Sequence, residues 1–325
     1  MRGFDPDFAD LPDYIIKITD RIWEGRGIGL IRRWYADDCV MHTSMGPARG
    51  VPAVIAGTLD TLNAFPDRRL LPEAIIWSGD DQAGFLSSHR VLAPAMHLGH
   101  SIFGPPTGRE LTFRAIADCF CVENKVVEEW LVRDQAGIAA QLGLDADALA
   151  RSFAEREADW DGEPWHVGAA RELASKGGFR TPELQDHPAA ALVRDGMAAI
   201  WGGADLDRVA ELYHPAASVR VPGARTLHGH ERLNRWLFGL LAAFPDARIA
   251  IEHSIANGAA ARAEVSTRWW LTGTHSGHGR FGPPSGATIL LLGVTHSNVE
   301  DGRIRDEWIV ADEIAVRKQI ALQRG

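Results

Sequence analysis

Four side chains able to move protons lie on strand-like segments in the first half of the chain. They are His42 in CVMHTS, His89 in SSHRV, Asp118 in AIADCF and Asp134 at the end of EEWLVRD. Imidazoles and carboxylates of this kind suit general acid/base chemistry, in which a proton leaves carbon beside a carbonyl and returns elsewhere. A carboxylate beside Trp130 loses solvation, which raises its pKa toward the working range. Asp118 and Asp134 fall on adjacent strands, and paired carboxylates push one pKa up and the other down. Two histidines with Asp118 would also suit a proton relay or a metal. The strand spacing carries no metal signature, so neither metal nor cofactor is expected. Structural roles compete for the same residues. Asp134 before Gln-Ala-Gly reads as a helix cap, Asp118 shares a strand face with Arg114 and could pair with it, and either histidine could be a satisfied core residue.

The elements that would position these groups follow from periodicity. Tyr14, Ile15, Ile18, Ile22 and Trp23 recur at helical spacing within residues 12–35. A short strand follows, then a second helix over 51–64 with Pro52 in its first turn and a stop at Phe65-Pro66-Asp67. Beyond that the period becomes two. One hairpin turns at Gly79-Asp80-Asp81 and another near Glu123-Asn124. In the second hairpin Thr112, Arg114, Ile116 and Asp118 fall on one face, and Phe113, Ala115, Ala117, Cys119 and Cys121 on the other. The small apolar face is expected to pack, and the polar face to meet solvent or a polar cavity. Glu129 and Arg133 share a side of the last strand and read as a surface ion pair.

The pattern occurs twice. HLGHSIFGPPTG at 97–108 returns as HSGHGRFGPPSG at 275–286, Ile22-Trp23 as Ile200-Trp201, Glu129-Trp130 as Glu307-Trp308 and Asp134 as Asp312. A period this long marks a duplicated domain rather than a solenoid unit. The expected organisation is a first domain at 1–150, a helical segment and linker at 151–184, and a second domain at 185–325. Asp118 corresponds to His296, and the counterparts of His42 and His89 are read near Arg220 and at Arg268.

Helices, then a sheet, then GPPTGR leading into a strand, then Glu128-Glu129-Trp130, Asp134 and Gln141-Leu142-Gly143 resemble the SnoaL-like polyketide cyclase family of the nuclear transport factor 2-like (NTF2-like) superfamily. The second half carries Gly282-Pro283-Pro284-Ser285-Gly286, Asp301-Gly302-Arg303-Ile304, Glu307-Trp308 and Asp312 in the same order. The resemblance implies an α+β fold: two tandem NTF2-like cone-shaped barrels, each with helices packed on a curved antiparallel sheet, forming an intrachain pseudo-dimer. It implies that Asp134 and Asp312 are general acid/base residues, with His296 near the second pocket. Trp34, Trp77, His97, His100, Arg114, Trp130, Arg268 and His275 are candidates to line or close the pockets. The 11 tryptophans of the chain make an aromatic lining reasonable.

The rest of the sequence narrows the function. The 325 residues carry a formal net charge of −9. Without a basic run, nucleic acid and anionic membranes are not expected partners. The acidic start lacks an apolar leader, so a cytoplasmic location is expected. Cys39, Cys119 and Cys121 read as reduced, buried thiols. The reading is a cofactor-free enzyme acting on a small carbonyl compound by cyclisation, isomerisation, dehydration or hydrolysis, with the better site in the first repeat and further homo-oligomerisation open. The alternative is a small-molecule-binding or assembly module without catalysis.

Overall fold

Asp10 starts the first helix. Its carboxylate accepts from the backbone N–H of Asp13, and Pro12 occupies the first turn, where no N–H partner is needed. The computed structural model describes residues 1–157 and 162–323, so residues 158–161 of the expected linker lie outside the described residues. Helix α1 (Leu11–Thr19) buries Leu11, Tyr14, Ile15 and Ile18. It runs on into a π-helical turn, Asp20–Glu24, and a 3-10 turn, Ile28–Leu30, before α2 (Ile31–Trp34). The single helix expected over 12–35 is therefore broken. A Cβ on Gly27 would stand 2.7 Å from the Arg21 carbonyl oxygen, so a larger residue does not fit this path.

Strands β1 (Tyr35–Thr43) and β2 (Gly46–Arg49) form a hairpin, and α3 (Gly50–Ala64) ends just before Phe65-Pro66. Then come β3 (Leu71–Asp80), β4 (Gly84–Met96), β5 (Glu110–Val122), β6 (Lys125–Arg133) and α4 (Gln135–Gln141). The sheet order is β2-β1-β6-β5-β4-β3. β1 runs parallel to β6, and the other pairs are antiparallel. The β5–β6 turn has φ of 46° at Glu123 and 67° at Asn124, the two positive values of a tight hairpin turn that follows strand twist.

The repeated loop is a clamp. The His97 ring reaches Ser101 Oγ at 3.0 Å and Thr107 Oγ1 at 3.3 Å, and its carbonyl accepts from Gly108 N–H. Gly99 presses on the end of α3, where a Cβ would sit 1.9 Å from the Asn63 carbonyl oxygen. In the second copy His275 reaches Ser285 Oγ at 3.0 Å, and a Cβ on Gly277 would sit 1.9 Å from the Ala242 oxygen.

The chain forms two compact units. One is Met1–Asp134 with Ile138–Leu144, and the other takes Gln135–Gly137 and the chain from Asp145 onward. The second unit comprises α5 (Ala146–Glu157), α6 (Trp165–Lys176), β7 (Glu183–Leu184), α7 (Pro188–Met197), a π-helical turn (Ala198–Gly202) and α8 (Arg208–Leu212). It continues with β8 (Tyr213–Val221), β9 (Arg225–His228), α9 (Gly229–Leu241), β10 (Arg248–Ala259), β11 (Arg262–Thr274), β12 (Thr288–Glu300), β13 (Arg303–Ala311) and α10 (Glu313–Leu322). Its sheet, β7-β10-β11-β12-β13-β8-β9, repeats the first order with one added edge strand. Lys318 on α10 pairs with Glu157 on α5, so part of the expected linker segment packs into this unit. All three cysteines are free and buried. Among the described residues, no helix is long and apolar enough to cross a membrane.

Candidate active site

In the first unit the sheet curls around a cavity of about 180 Å³, roofed by α1, the π-helical turn and α3. Alternation decides which side chains enter it. Phe113, Ala115 and Ala117 of β5 line it, as do Glu129, Leu131 and Arg133 of β6. Register places His89 opposite Ala117 and Ala117 opposite Leu131, while Ala115 faces Arg133 and Met41 faces Glu129. The expected assignment of the β5 faces is thus reversed. The small face does not close up against the helices, because alanines leave the space that the cavity occupies.

Glu129 is the one carboxylate on this wall. Its Oε2 accepts from the Tyr35 hydroxyl at 3.2 Å. Burial pushes its pKa up to about 7, against the opposing pull of that hydrogen bond and of the Arg133 charge. Burial likewise holds the His89 imidazole down at about 4, so it is neutral at physiological pH, and its Nε2 has no hydrogen-bond partner. Arg68 is only 3% exposed, and its Nε also lacks a partner. Burial lowers its pKa to about 9, and the charges of Arg133 and Arg26 push the same way. Arg133 donates to Thr61 Oγ1 at 3.2 Å, and burial lowers its pKa too. A wider recess of about 710 Å³ adjoins the cavity, with Thr19, Leu70 and His89 lining both.

Of the residues singled out from sequence, the structure brings His89 to the cavity wall. Asp118, Arg114, Trp130 and His42 lie on the opposite face of the sheet. There Asp118 accepts from the Ser88 hydroxyl, and Arg114 pairs with Glu73 at 2.8 Å rather than with Asp118. His42 meets Glu128 at 2.7 Å and stacks on Trp130 with centroids 5.1 Å apart. Asp134 stands past the end of β6, and its carbonyl accepts from Ile138 N–H in α4. Trp34 is core, Trp77 packs beside Phe85 against the same core, and His97, His100 and His275 belong to the clamp loops, where the His100 carbonyl accepts from Asn63. Sequence reasoning set aside Glu129 and Arg133 as a surface pair and passed over Arg68 and Tyr35. The usable signal was that Glu129, Leu131 and Arg133 alternate in phase with the small face of β5. Among the described residues, no group of three or more His, Cys, Asp or Glu side chains is placed to hold a metal ion.

The SnoaL-like polyketide cyclase family matches residues 14–142 and again residues 191–320. The chain belongs to that family, in two tandem copies. Its fold is of a small-molecule-binding or cyclase type. Solved structures similar to parts of it include AclR, a putative hydroxylase from Streptomyces galilaeus (22% identity, 42% of this chain and 98% of that one, TM-score 0.37). A putative SnoaL-like polyketide cyclase from Jannaschia sp. CCS1 has 21% identity, covering 44% and 98%, with TM-score 0.36. IdmH, a putative polyketide cyclase from Streptomyces antibioticus, has 24% identity, covering 41% and 99%, with TM-score 0.36. No curated protein matches the chain.

The second SnoaL-like copy keeps the carboxyl and fills the space. Glu307, the counterpart of Glu129, accepts from Tyr213 at 2.7 Å and Ser297 at 2.8 Å, and burial raises its pKa to about 7. Around it Trp201, Trp236 and Trp269 pack with centroids 5.0 and 5.7 Å apart. The Trp269 ring lies over Gly293, where a Cβ would be 2.1 Å from the ring. Strand pairing makes Thr267, facing Thr295, the counterpart of His89, which corrects the expected Arg268. Arg268 is buried on the other face, 3.9 Å from Glu252. His296 pairs with Trp308 in register on that same face. Asp312 caps α10, accepting from Ile314 and Ala315 N–H at 2.9 and 3.3 Å.

Proposed function

We propose that the first SnoaL-like copy is an enzyme. It performs cofactor-free general acid/base chemistry on a small carbonyl-containing molecule, with Glu129 moving the proton. One observation carries this reading: the one carboxyl facing the cavity is held near 7, where both protonation states are populated at neutral pH. A base of that strength takes a proton from carbon beside a carbonyl more readily than an ordinary carboxylate, and as an acid it can return the proton to another atom. Tyr35 fixes the carboxyl, and neutral His89 is available as a hydrogen-bond partner for the carbonyl group. The largely apolar walls lower the local dielectric, which strengthens each polar contact inside.

The test is deuterium exchange at carbon beside the carbonyl in a panel of ketones, followed by proton NMR. Glu129→Gln should abolish exchange with the fold retained, while Asp134→Asn retains it. Loss with Asp134→Asn and not with Glu129→Gln would return the role to Asp134. The mainly apolar lining, with Met41, Val91, Phe113 and Leu131, supports a second reading as a binding module, which unchanged ligand retention without any exchange would favour.

A further inference from the structure

The duplication supplies an internal comparison. In the second copy Ala311 stands where the first has Arg133, and Ala247, after the repeated Phe-Pro-Asp, stands where the first has Arg68. That copy folds around tryptophans without either arginine, so the fold itself does not require them. Yet the first copy places both guanidinium groups on the wall of a largely apolar chamber. Neither makes an ion pair with a carboxylate among the described residues, and Arg68 leaves Nε without a partner while almost fully buried. Burying unpaired cations is costly. Glu129, the carboxyl on the wall, is turned toward Tyr35, and Glu24, whose charge also reaches Arg68, is held by Arg69 at 2.8 Å. In a chain whose formal net charge is −9, this chamber concentrates positive charge.

We propose that Arg68 and Arg133 form an anion subsite that takes a carboxylate of the substrate, so that the molecule handled at Glu129 is a small carbonyl compound bearing a carboxylate. The inference rests on the reading of this cavity as the active site. A guanidinium presents a planar fork of donors that matches a carboxylate, and two of them would fix the substrate's orientation relative to Glu129. The substrate's carboxylate would accept from both guanidinium groups, Arg68 Nε included.

The experiment is calorimetric titration and thermal unfolding of the full chain with aliphatic carboxylates from acetate to hexanoate, their amides, and inorganic phosphate, at fixed ionic strength. Carboxylates should bind and raise Tm, and the amides should not. Arg68→Met and Arg133→Met should each weaken binding by roughly ten- to a hundredfold, the worth of a charge-assisted hydrogen bond. Without ligand, Arg68→Met should keep or raise Tm, since it removes an unpaired buried charge; if it fails to fold, Arg133→Met carries the binding test. Equal binding of acids and amides, unchanged affinity in the variants, binding of phosphate but no carboxylate, or no binding of any probe would overturn the proposal. Glu129→Gln separates the two readings. If it binds carboxylates yet exchanges protons normally, the acid/base reading fails alone. If ketone exchange depends on Glu129 while no carboxylate binds, the subsite fails alone.

Discussion

The Tyr35 hydroxyl donates to Glu129 Oε2 at 3.2 Å, joining the first residue of β1 to the strand that forms the cavity wall. The bond favours the ionised carboxylate and so opposes the burial that raises its pKa. The balance leaves Glu129 near 7.

A pH–rate profile should therefore show one limb rising through about 7 as Glu129 ionises, with no second limb from His89, which is already neutral above about 4. Tyr35→Phe removes a donor to the charged form, so the limb should move to higher pH. A limb that stays in place would mean that Tyr35 does not tune the base.

Glu129→Gln should lower exchange by at least about a hundredfold, the low end for a positioned general base. The amide keeps an oxygen for Tyr35, so circular dichroism and Tm should show an intact fold.

Stability should respond to Glu307 with a definite sign. Its carboxyl sits at about 7 when folded against the ordinary 4.5 of an exposed glutamate, so the protonated form favours the fold. The contribution is complete below 4.5 and is lost as pH rises through about 7. For this carboxyl it amounts to up to roughly 3 kcal/mol. Urea melts from pH 4 to 8 should show wild type losing stability relative to Glu307→Gln as pH rises through about 7; a difference between the two that stays constant over this range would contradict the assignment.

Trp269 and Gly293 should behave as one unit. Trp269→Ala should cost about 3–5 kcal/mol by opening a cavity. Gly293→Ala alone should cost about 1–3 kcal/mol or more, since the new Cβ meets the indole. In a Trp269→Val background the same alanine should be nearly free, because Val91 and Ala115 already face each other this way in the first copy. Additive costs would show that the two positions are independent.

The fold was legible because its signals are local and doubled: alternation along β5 and β6, the turn at Glu123-Asn124, and a loop repeated with its clamp histidine. The site was less so. Alternation says which residues share a face, but not which face the helices leave open. Ala115 and Ala117 read as packing residues, yet small side chains are what create a chamber. Asp118 and His42 look reactive in isolation, but register turns them to the far side, where Ser88 and Glu128 satisfy them. Arg68 follows a proline turn, and its burial depends on contacts far away in sequence. The distinct fates of the two copies were written at Val91/Trp269 and Arg133/Ala311, substitutions that acquire meaning only when strand pairing is known.

The π-helical turns Asp20–Glu24 and Ala198–Gly202 occupy the same place in both copies. Such a turn is rare and, where it occurs, is frequent at functional sites. In the first copy it presents Trp23 to the cavity, while in the second it presents Trp201 to the rings of Trp236 and Trp269. Two copies would hardly adopt so uncommon a turn separately, so both inherited it from a forerunner. The turn is then older than the difference between the copies, one frame that holds a cavity-lining indole in the first and a packed one in the second.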